Sequence, residues 1–348
     1  MSDRLNLAFL GCGEIAVHTS SAAADSAHAR IVHCMDLRKE LADDIAARHD
    51  AKSTDQLDVV LADGNVQAVV ISTPHFEHAP LSIAATRAGK HVLVEKPMAC
   101  TLDQADAMIS AAQDAGVKLA VLLPQRLSFG YAKAGDLVAA GAIGQVVAYK
   151  IHDLGDKPPS YWHGGFTGRV KDDWRMSLAA SGGGFLIMNE IHNLDSFVSI
   201  VDPRPQRIYA EYGTFRTPVE VEDFLSLVLR LEGGAVVSLD GSSAAVGCEK
   251  LGDRVYGTKG QLAPDSQTCR VHPSEPWEDI PAGQWVELTA AADYPDPRMA
   301  YLDAFCRAVM DDSDSPVPGT EGRRSLEIVR GAYLSMQRGQ VVAFSVKE

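Results

Sequence analysis

The chain has 348 residues, 46% of them hydrophobic, and carries 32 Lys and Arg against 46 Asp and Glu for a net charge of -14. That length and apolar content can bury a large core divided between two domains, and the acidic balance speaks against a nucleic-acid or anionic-membrane partner. No apolar run reaches signal-peptide or membrane-spanning length, and Cys12, Cys34, Cys100, Cys248, Cys269 and Cys306 show no C-x-x-C pairing, so the chain reads as soluble and cytoplasmic, with reduced thiols and no metal centre.

Leu5 to Leu10 is a short apolar strand that runs straight into Gly11-Cys12-Gly13-Glu14-Ile15-Ala16 and an alanine-rich helix. This is G-x-G-x-x-A between strand and helix, where glycines allow a tight turn and close approach of the backbone to a pyrophosphate. The next strand, Ile31 to Met35, ends in Asp36, twenty residues after Ala16, where a carboxylate can bind both ribose hydroxyls of an adenosine. An acid there favours NAD, while Arg38 and Lys39 could accommodate NADP. A helix follows around Glu40 to His49.

The third strand, Ala68 to Ile71, closes in Ser72-Thr73-Pro74-His75, a strand end suited to the nicotinamide half of a cleft. His75 and His78 fit as loop and helix-start residues, and His78 counts with Ser72, Thr73 and Pro74 among the candidate cofactor contacts. Val92 to Glu95 forms another strand, ending in Lys96-Pro97. Proline disfavours the α region for the residue before it, so Lys96 is expected extended at the carboxyl edge of the sheet, where ligands bind in open α/β folds. Thr101-Leu102-Asp103-Gln104 opens a helix with a capping box, Gly116 ends it, and Lys118 to Leu123 adds one more strand. The alternation predicts a doubly wound parallel sheet, a Rossmann domain over residues 1–123.

Beyond Pro124 the alternation loosens into a helix near Tyr131 to Ala140 and a strand from Gln145 to about Leu154. A long irregular stretch, Gly155 to Ser181, holds Trp162, Trp174 and Arg175, and loops of that length are commonly functional. Gly182-Gly183-Gly184 then introduces a buried helix from Phe185 to Phe197, on which Asn189, His192 and Asp195 recur every third residue on one stripe. A hairpin of Val221 to Leu231 with Ala235 to Ser243, further strands near Arg254 to Leu262 and Gln284 to Leu288, and helices near Arg298 to Met310 and Gly322 to Met336 complete an α+β domain. It occupies residues 124–348, is built on a mostly antiparallel mixed sheet, and leaves the last helices available to return to the first domain.

The ordered set of Gly11-Cys12-Gly13-Glu14-Ile15-Ala16, Thr73-Pro74, Ala88 through Glu95-Lys96-Pro97, Trp174-Arg175, and Gly182-Gly183-Gly184 with His192 and Asp195 resembles the glucose-fructose oxidoreductase, inositol dehydrogenase and MocA-like family over nearly the whole chain. The resemblance implies a nicotinamide-dependent oxidoreductase acting on a sugar or cyclitol, and a homodimer or homotetramer formed through the open sheet face. It places the active lysine at Lys96 and the active histidine at His192. The cofactor contacts become Gly11, Cys12, Gly13, Glu14, Ile15, Asp36, Arg38, Ser72, Thr73, Pro74, His78, Glu95 and Lys96, and the substrate contacts Lys96, Arg126, Trp162, Trp174, Arg175, Asn189 and His192. An imidazole with a pKa near ~6.5 is suited to take a hydroxyl proton, and an ammonium beside the reacting oxygen stabilises alkoxide character. One departure is specific to this chain: the aspartate that many relatives carry four residues before the histidine is Met188 here, with Asn189 beside it. Two other activities fit the same residues: redox-neutral glycoside cleavage through transient sugar oxidation, and non-catalytic nucleotide sensing.

Overall fold

The structure, a computed structural model, describes residues 4–249 and 251–344. In chain order the first half runs β1 (Leu5–Leu10), α1 (Glu14–Asp25), β2 (Ala29–Met35), α2 (Lys39–His49), β3 (Lys52–Thr54), α3 (Leu57–Ala62), β4 (Ala68–Ile71), α4 (His78–Arg87), β5 (His91–Glu95), α5 (Leu102–Ala115) and β6 (Leu119–Leu122). Then come α6 (Phe129–Ala139), β7 (Val146–Leu154), α7 (Ser160–Gly164), α8 (Leu178–Ser181), a π turn (Leu186–Glu190) and α9 (Ile191–Val201). The remainder is β8 (Pro205–Gly213), β9 (Phe224–Leu231), β10 (Val236–Ser242), β11 (Arg254–Gly257), β12 (Gly260–Pro264), β13 (Thr268–Pro273), β14 (Val286–Thr289), α10 (Pro297–Met310), α11 (Gly319–Arg338) and β15 (Val342–Ala343).

Packing divides these elements into two compact units. The first comprises 1–124, 159–182 and 296–326; the second comprises 125–158, 183–295 and 327–348. The chain thus leaves the first unit one residue beyond the boundary drawn from the sequence. Two later segments, the 159–182 stretch and α10 with the start of α11, pack back into it.

The first unit is a six-stranded parallel sheet in the order β3-β2-β1-β4-β5-β6. Its central strands β1, β4 and β5 are largely apolar and buried along both faces, as expected where helices cover each side. The order reverses between β1 and β4, which opens a crevice at their carboxyl ends. Helix boundaries follow local chemistry: Thr101 Oγ1 accepts the Gln104 amide at the start of α5, and Gly116 ends it at φ 65°.

The second unit carries a nine-stranded mixed sheet, ordered β14-β13-β12-β11-β7-β10-β9-β8-β15, antiparallel except where β10 runs parallel to β7. Helices α6 and α9 cover one face. Along β9, Leu225, Leu227, Leu229 and Leu231 are buried while Val228 is exposed, so the opposite face is open.

The expected helix from Phe185 to Phe197 is instead a π turn followed by α9. Its opening amides are pinned from outside: Glu222 accepts from Gly184 N at 2.8 Å and Leu186 N at 3.0 Å, and Tyr333 Oη accepts from Ile187 N at 3.3 Å. Backbone fixed in this way widens the first turn, and such π segments recur at functional sites. A Cβ on Gly183 would lie 2.1 Å from Tyr333 Oη, and one on Gly184 would lie 2.1 Å from Glu222 O, so the glycines make room for this clamp.

Candidate functional site

The crevice of the first unit is a cleft of about 510 Å³ lined by Gly11, Gly13, Glu14, Ile15, Asp36, Arg38, Ser72, Thr73 and Pro74 among the residues expected from sequence. Gly11 has φ +88°, and a Cβ there would lie 2.8 Å from Ser72 and Thr73, so only glycine lets β1 turn against the end of β4. Gly13 precedes α1 without a side-chain cap, which leaves amides at the helix amino terminus for an anion. Asp36 accepts Cys12 N at 2.7 Å and Arg38 N at 2.9 Å, fixing its carboxylate beside the glycine turn. A carboxylate has about four lone-pair directions, so two acceptor sites remain for ribose hydroxyls. Ser72 Oγ and Thr73 Oγ1 are buried at the cleft wall with no hydrogen-bond partner among the described residues. A dinucleotide fits these residues, because it supplies the partners that the hydroxyls and amides lack.

The 159–182 segment lies across the same turn. Glu14, the first residue of α1, accepts Phe166 N at 3.0 Å and Thr167 N at 2.8 Å. Arg169 donates to Cys12 O at 3.1 Å and pairs with Asp44 at 2.7 Å. Arg38 reaches Lys171 O at 3.4 Å and the Asp172 carboxylate at 4.0 Å. Gly164, Val170, Asp172, Trp174 and Arg175 therefore line the cleft alongside the expected residues. Sequence reasoning placed Trp174 and Arg175 in a substrate loop but missed the strap itself, whose anchors lie more than 120 residues away.

Cys12, His78, Glu95 and Lys96 do not line the cleft. Cys12 is fully buried, and its contribution is the amide held by Asp36. His78 is also fully buried, with Nδ1 2.7 Å from Pro97 O and Nε2 3.0 Å from Thr73 O, so it ties two cleft-side loops together and has no surface for a cofactor. Glu95 accepts from Arg298 at 2.7 Å. Lys96 is half-buried at the end of β5, before a cis peptide to Pro97. Burial, followed by the charges of Arg298 and Arg175, outweighs the pull of Glu95 and lowers its pKa to about 8. His75 Nδ1 donates to Ser181 O, 2.8 Å away, and the ring packs edge-on to Trp174. Its burial, reinforced by His78, keeps it neutral well below the ordinary histidine range. Trp162, expected at the substrate, is 1% exposed and packs edge-on against Tyr161. It is a core residue, whereas Trp174 offers its face to the Arg175 guanidinium at 4.6 Å.

In the second unit α9 displays its polar residues in a network. Arg126 makes a two-pronged pair with Asp195, at 2.7 and 2.8 Å, and Asp195 is fully buried. Arg126 is therefore committed to holding α9, in place of the free cofactor or substrate contact expected of it. Asn193 receives a bond from Gln125 at 3.0 Å and donates to Glu190 at 3.1 Å and Asp153 at 3.3 Å. Burial and the neighbouring Asp153 push the Glu190 carboxyl well up, which favours its protonated form. His192 and Asn189 are half-buried on the same segment. The sequence stripe identified Asp195 as needing a partner, but Glu190 and Asp153 gave no periodic signal.

Residues 5–123 match the model described as an oxidoreductase family with an NAD-binding Rossmann fold, and residues 131–263 match the Gfo/Idh/MocA carboxy-terminal domain. Among curated proteins the chain is 29% identical over 212 residues to 1,5-anhydro-D-fructose reductase of Ensifer adhaerens, covering 61% of this chain and 60% of that one. It is 26% identical over 290 residues to myo-inositol 2-dehydrogenase of Thermotoga maritima, covering 81% of each. Among solved structures, aldose-aldose oxidoreductase from Caulobacter crescentus complexed with glycerol superposes with a TM-score of 0.84 at 25% identity, covering 98% of this chain and 100% of that one. With both domains matched and a dinucleotide cleft formed where the order of the parallel strands reverses, the chain belongs to the Gfo/Idh/MocA oxidoreductase family and carries its NAD-binding Rossmann domain.

Proposed function

We propose that the protein is an NAD-dependent oxidoreductase acting on a secondary hydroxyl, or the corresponding ketone, of a sugar, glycoside or cyclitol. The observation that carries this reading is the pairing of a dinucleotide cleft with a lysine of lowered pKa at the end of β5 in the same unit. A nicotinamide held there would supply hydride transfer, which leaves proton handling to the chain. Lys96 supplies positive charge to a developing alkoxide, and the His192 imidazole takes or returns the hydroxyl proton. Asn189 orients a substrate hydroxyl through its amide, and Trp174 with Arg175 packs on the sugar ring. The related anhydrofructose reductase and inositol dehydrogenase support the substrate class.

Preference for NAD over NADP rests on where the local cations are committed. Arg38 lies 3.4 Å from Lys171 O and 4.0 Å from the Asp172 carboxylate, and Lys39 is paired with Asp43 at 2.6 Å, so both local cations already have acidic neighbours beside the Asp36 carboxylate. The open face of the nine-stranded sheet supports a homo-oligomer.

A panel of sugars, glycosides and inositols with NAD and with NADP, followed at the reduced-nicotinamide absorbance, tests the reading. Turnover with NAD is expected for some members, and complete silence in both directions would sink it. The strap across the glycine turn favours one variant, in which the cofactor stays bound and the reaction is redox-neutral. Product formed without accumulation of free NADH is the result that selects this variant.

A further inference from the structure

Arg298 is the second residue of α10, whose amino terminus is capped by Asp296 accepting the amides of Arg298 and Met299 at 3.0 and 2.9 Å. A cation in the first turn of a helix opposes the helix dipole, so its placement calls for a compensating partner. That partner is the Glu95 carboxylate, 2.7 Å from Arg298 Nη1. The same Nη1 lies 2.7 Å from Thr19 Oγ1, and Thr19 Oγ1 lies 3.3 Å from the same Glu95 oxygen. Thr19 is fully buried and Glu95 is 4% exposed, so the triad is shielded from water. Glu95 is also the covalent neighbour of Lys96, and adjacent residues of an extended segment project to opposite faces.

We propose that Arg298 is a positioning residue for Lys96: by engaging Glu95 on the side of α1 and α10, it prevents the lysine's own neighbour from neutralising the lysine. The idea rests on Lys96 being the lysine that supplies positive charge to the alkoxide in the reading above. The charges that reach Lys96 include Glu95 on β5, Arg298 on α10 and Arg175 in the strap, while its own charge bears on His75 and His78 in the stretch after β4. Of these only Glu95 is an anion, so the state of Glu95 decides how strongly the ammonium is favoured. Removing Arg298 takes away a cation that opposes the Lys96 charge and leaves the buried Glu95 carboxylate without its cationic partner, and both changes strengthen the ammonium form.

The test is a pH titration of the Lys96 ε-carbon by NMR in the full-length protein labelled with ¹³Cε-lysine, with the resonance assigned from Lys96→Arg. Arg298→Met is expected to move the Lys96 midpoint upward by about one pH unit, the size of effect a single charge exerts across a partly shielded site. Arg298→Lys keeps the midpoint near that of the parent protein, and Glu95→Gln moves it downward. The double variant Glu95→Gln, Arg298→Met removes both charges and cancels most of the upward shift. An Arg298→Met midpoint that stays put or falls overturns the proposal; if that variant does not fold, an unmoved midpoint in Glu95→Gln does the same. The alkaline limb of turnover should track the NMR midpoint across the series. Because the titration needs no substrate, a midpoint that moves in a protein that turns nothing over sinks the dehydrogenase reading and leaves the role of Arg298 standing.

Discussion

Lys96 combines two properties that seldom coincide on an exposed lysine: a fixed place at a strand end and a pKa lowered to about 8 by burial, then by the charges of Arg298 and Arg175. At neutral pH it is still mostly ammonium, as a group that stabilises an alkoxide must be. Above about 8 the charge is lost, so turnover should decline along an alkaline limb near that value, provided the chemical step limits the rate. Lys96→Ala is expected to lower turnover by roughly 10²- to 10³-fold, the usual cost of removing a group that stabilises charge developing in the transition state. NAD affinity, measured by calorimetry, should change little, because Lys96 does not line the cleft. Undiminished turnover in the alanine variant would remove the lysine from the mechanism. The residue was legible in the sequence because its signal is local, a cation held before a proline at the end of an apolar run. Arg298 was not, since the pair with Glu95 spans 203 residues and nothing in its own neighbourhood marks it.

The same contrast between local and distant signals holds for the elements. The β1 turn, Asp36 and the capped α5 could be read directly, because each is specified by residues within one strand, turn or helix. The strap could be read only as a long loop, since its meaning lies in Glu14 reaching the amides of Phe166 and Thr167 and in Arg169 reaching Cys12 O. Likewise the π turn depends on Glu222 and Tyr333, which approach from distant parts of the second unit. Strands β8 and β13 escaped notice because each alternates over only a few residues and has a proline at one end, Pro205 and Pro273. If the strap retains the cofactor, Glu14→Ala should release it faster, since a charged acceptor of two amides is lost and each such bond is worth about 1.5–3 kcal/mol. Stopped-flow displacement of NADH should then show an off-rate at least about tenfold higher, a factor worth 1.4 kcal/mol. An unchanged off-rate would reduce the strap to a structural connection and remove the support for a redox-neutral cycle.

On the scale of the whole molecule, the second unit sets an open sheet face beside a buried acidic core, and each has a measurable consequence. The open face carries Tyr209 opposite Val228, both exposed, in a position where pairing with another copy would remove apolar surface from water. Val228→Lys should convert an oligomer to a smaller species by light scattering. On the helix-covered side Asp253 is 4% exposed and accepts the Tyr149 hydroxyl at 2.9 Å. Burial, and then the charge of Asp153, raise its carboxyl from 3.8 to about 7. The sign of the pH effect follows from linkage: a carboxyl whose folded value is raised contributes stability fully below its unfolded value and loses it as pH rises through the folded one. Glu190 is displaced in the same direction. Stability of the second unit should therefore fall between about pH 4 and pH 7, by at most about 4 kcal/mol from Asp253. Asp253→Asn keeps an oxygen to accept from Tyr149 and cannot ionise, so it should flatten this dependence and raise the thermal midpoint at pH 8 relative to the parent protein. A midpoint that rises with pH in the parent, or an asparagine variant with the same slope, would show that the buried carboxyl is not the group being titrated.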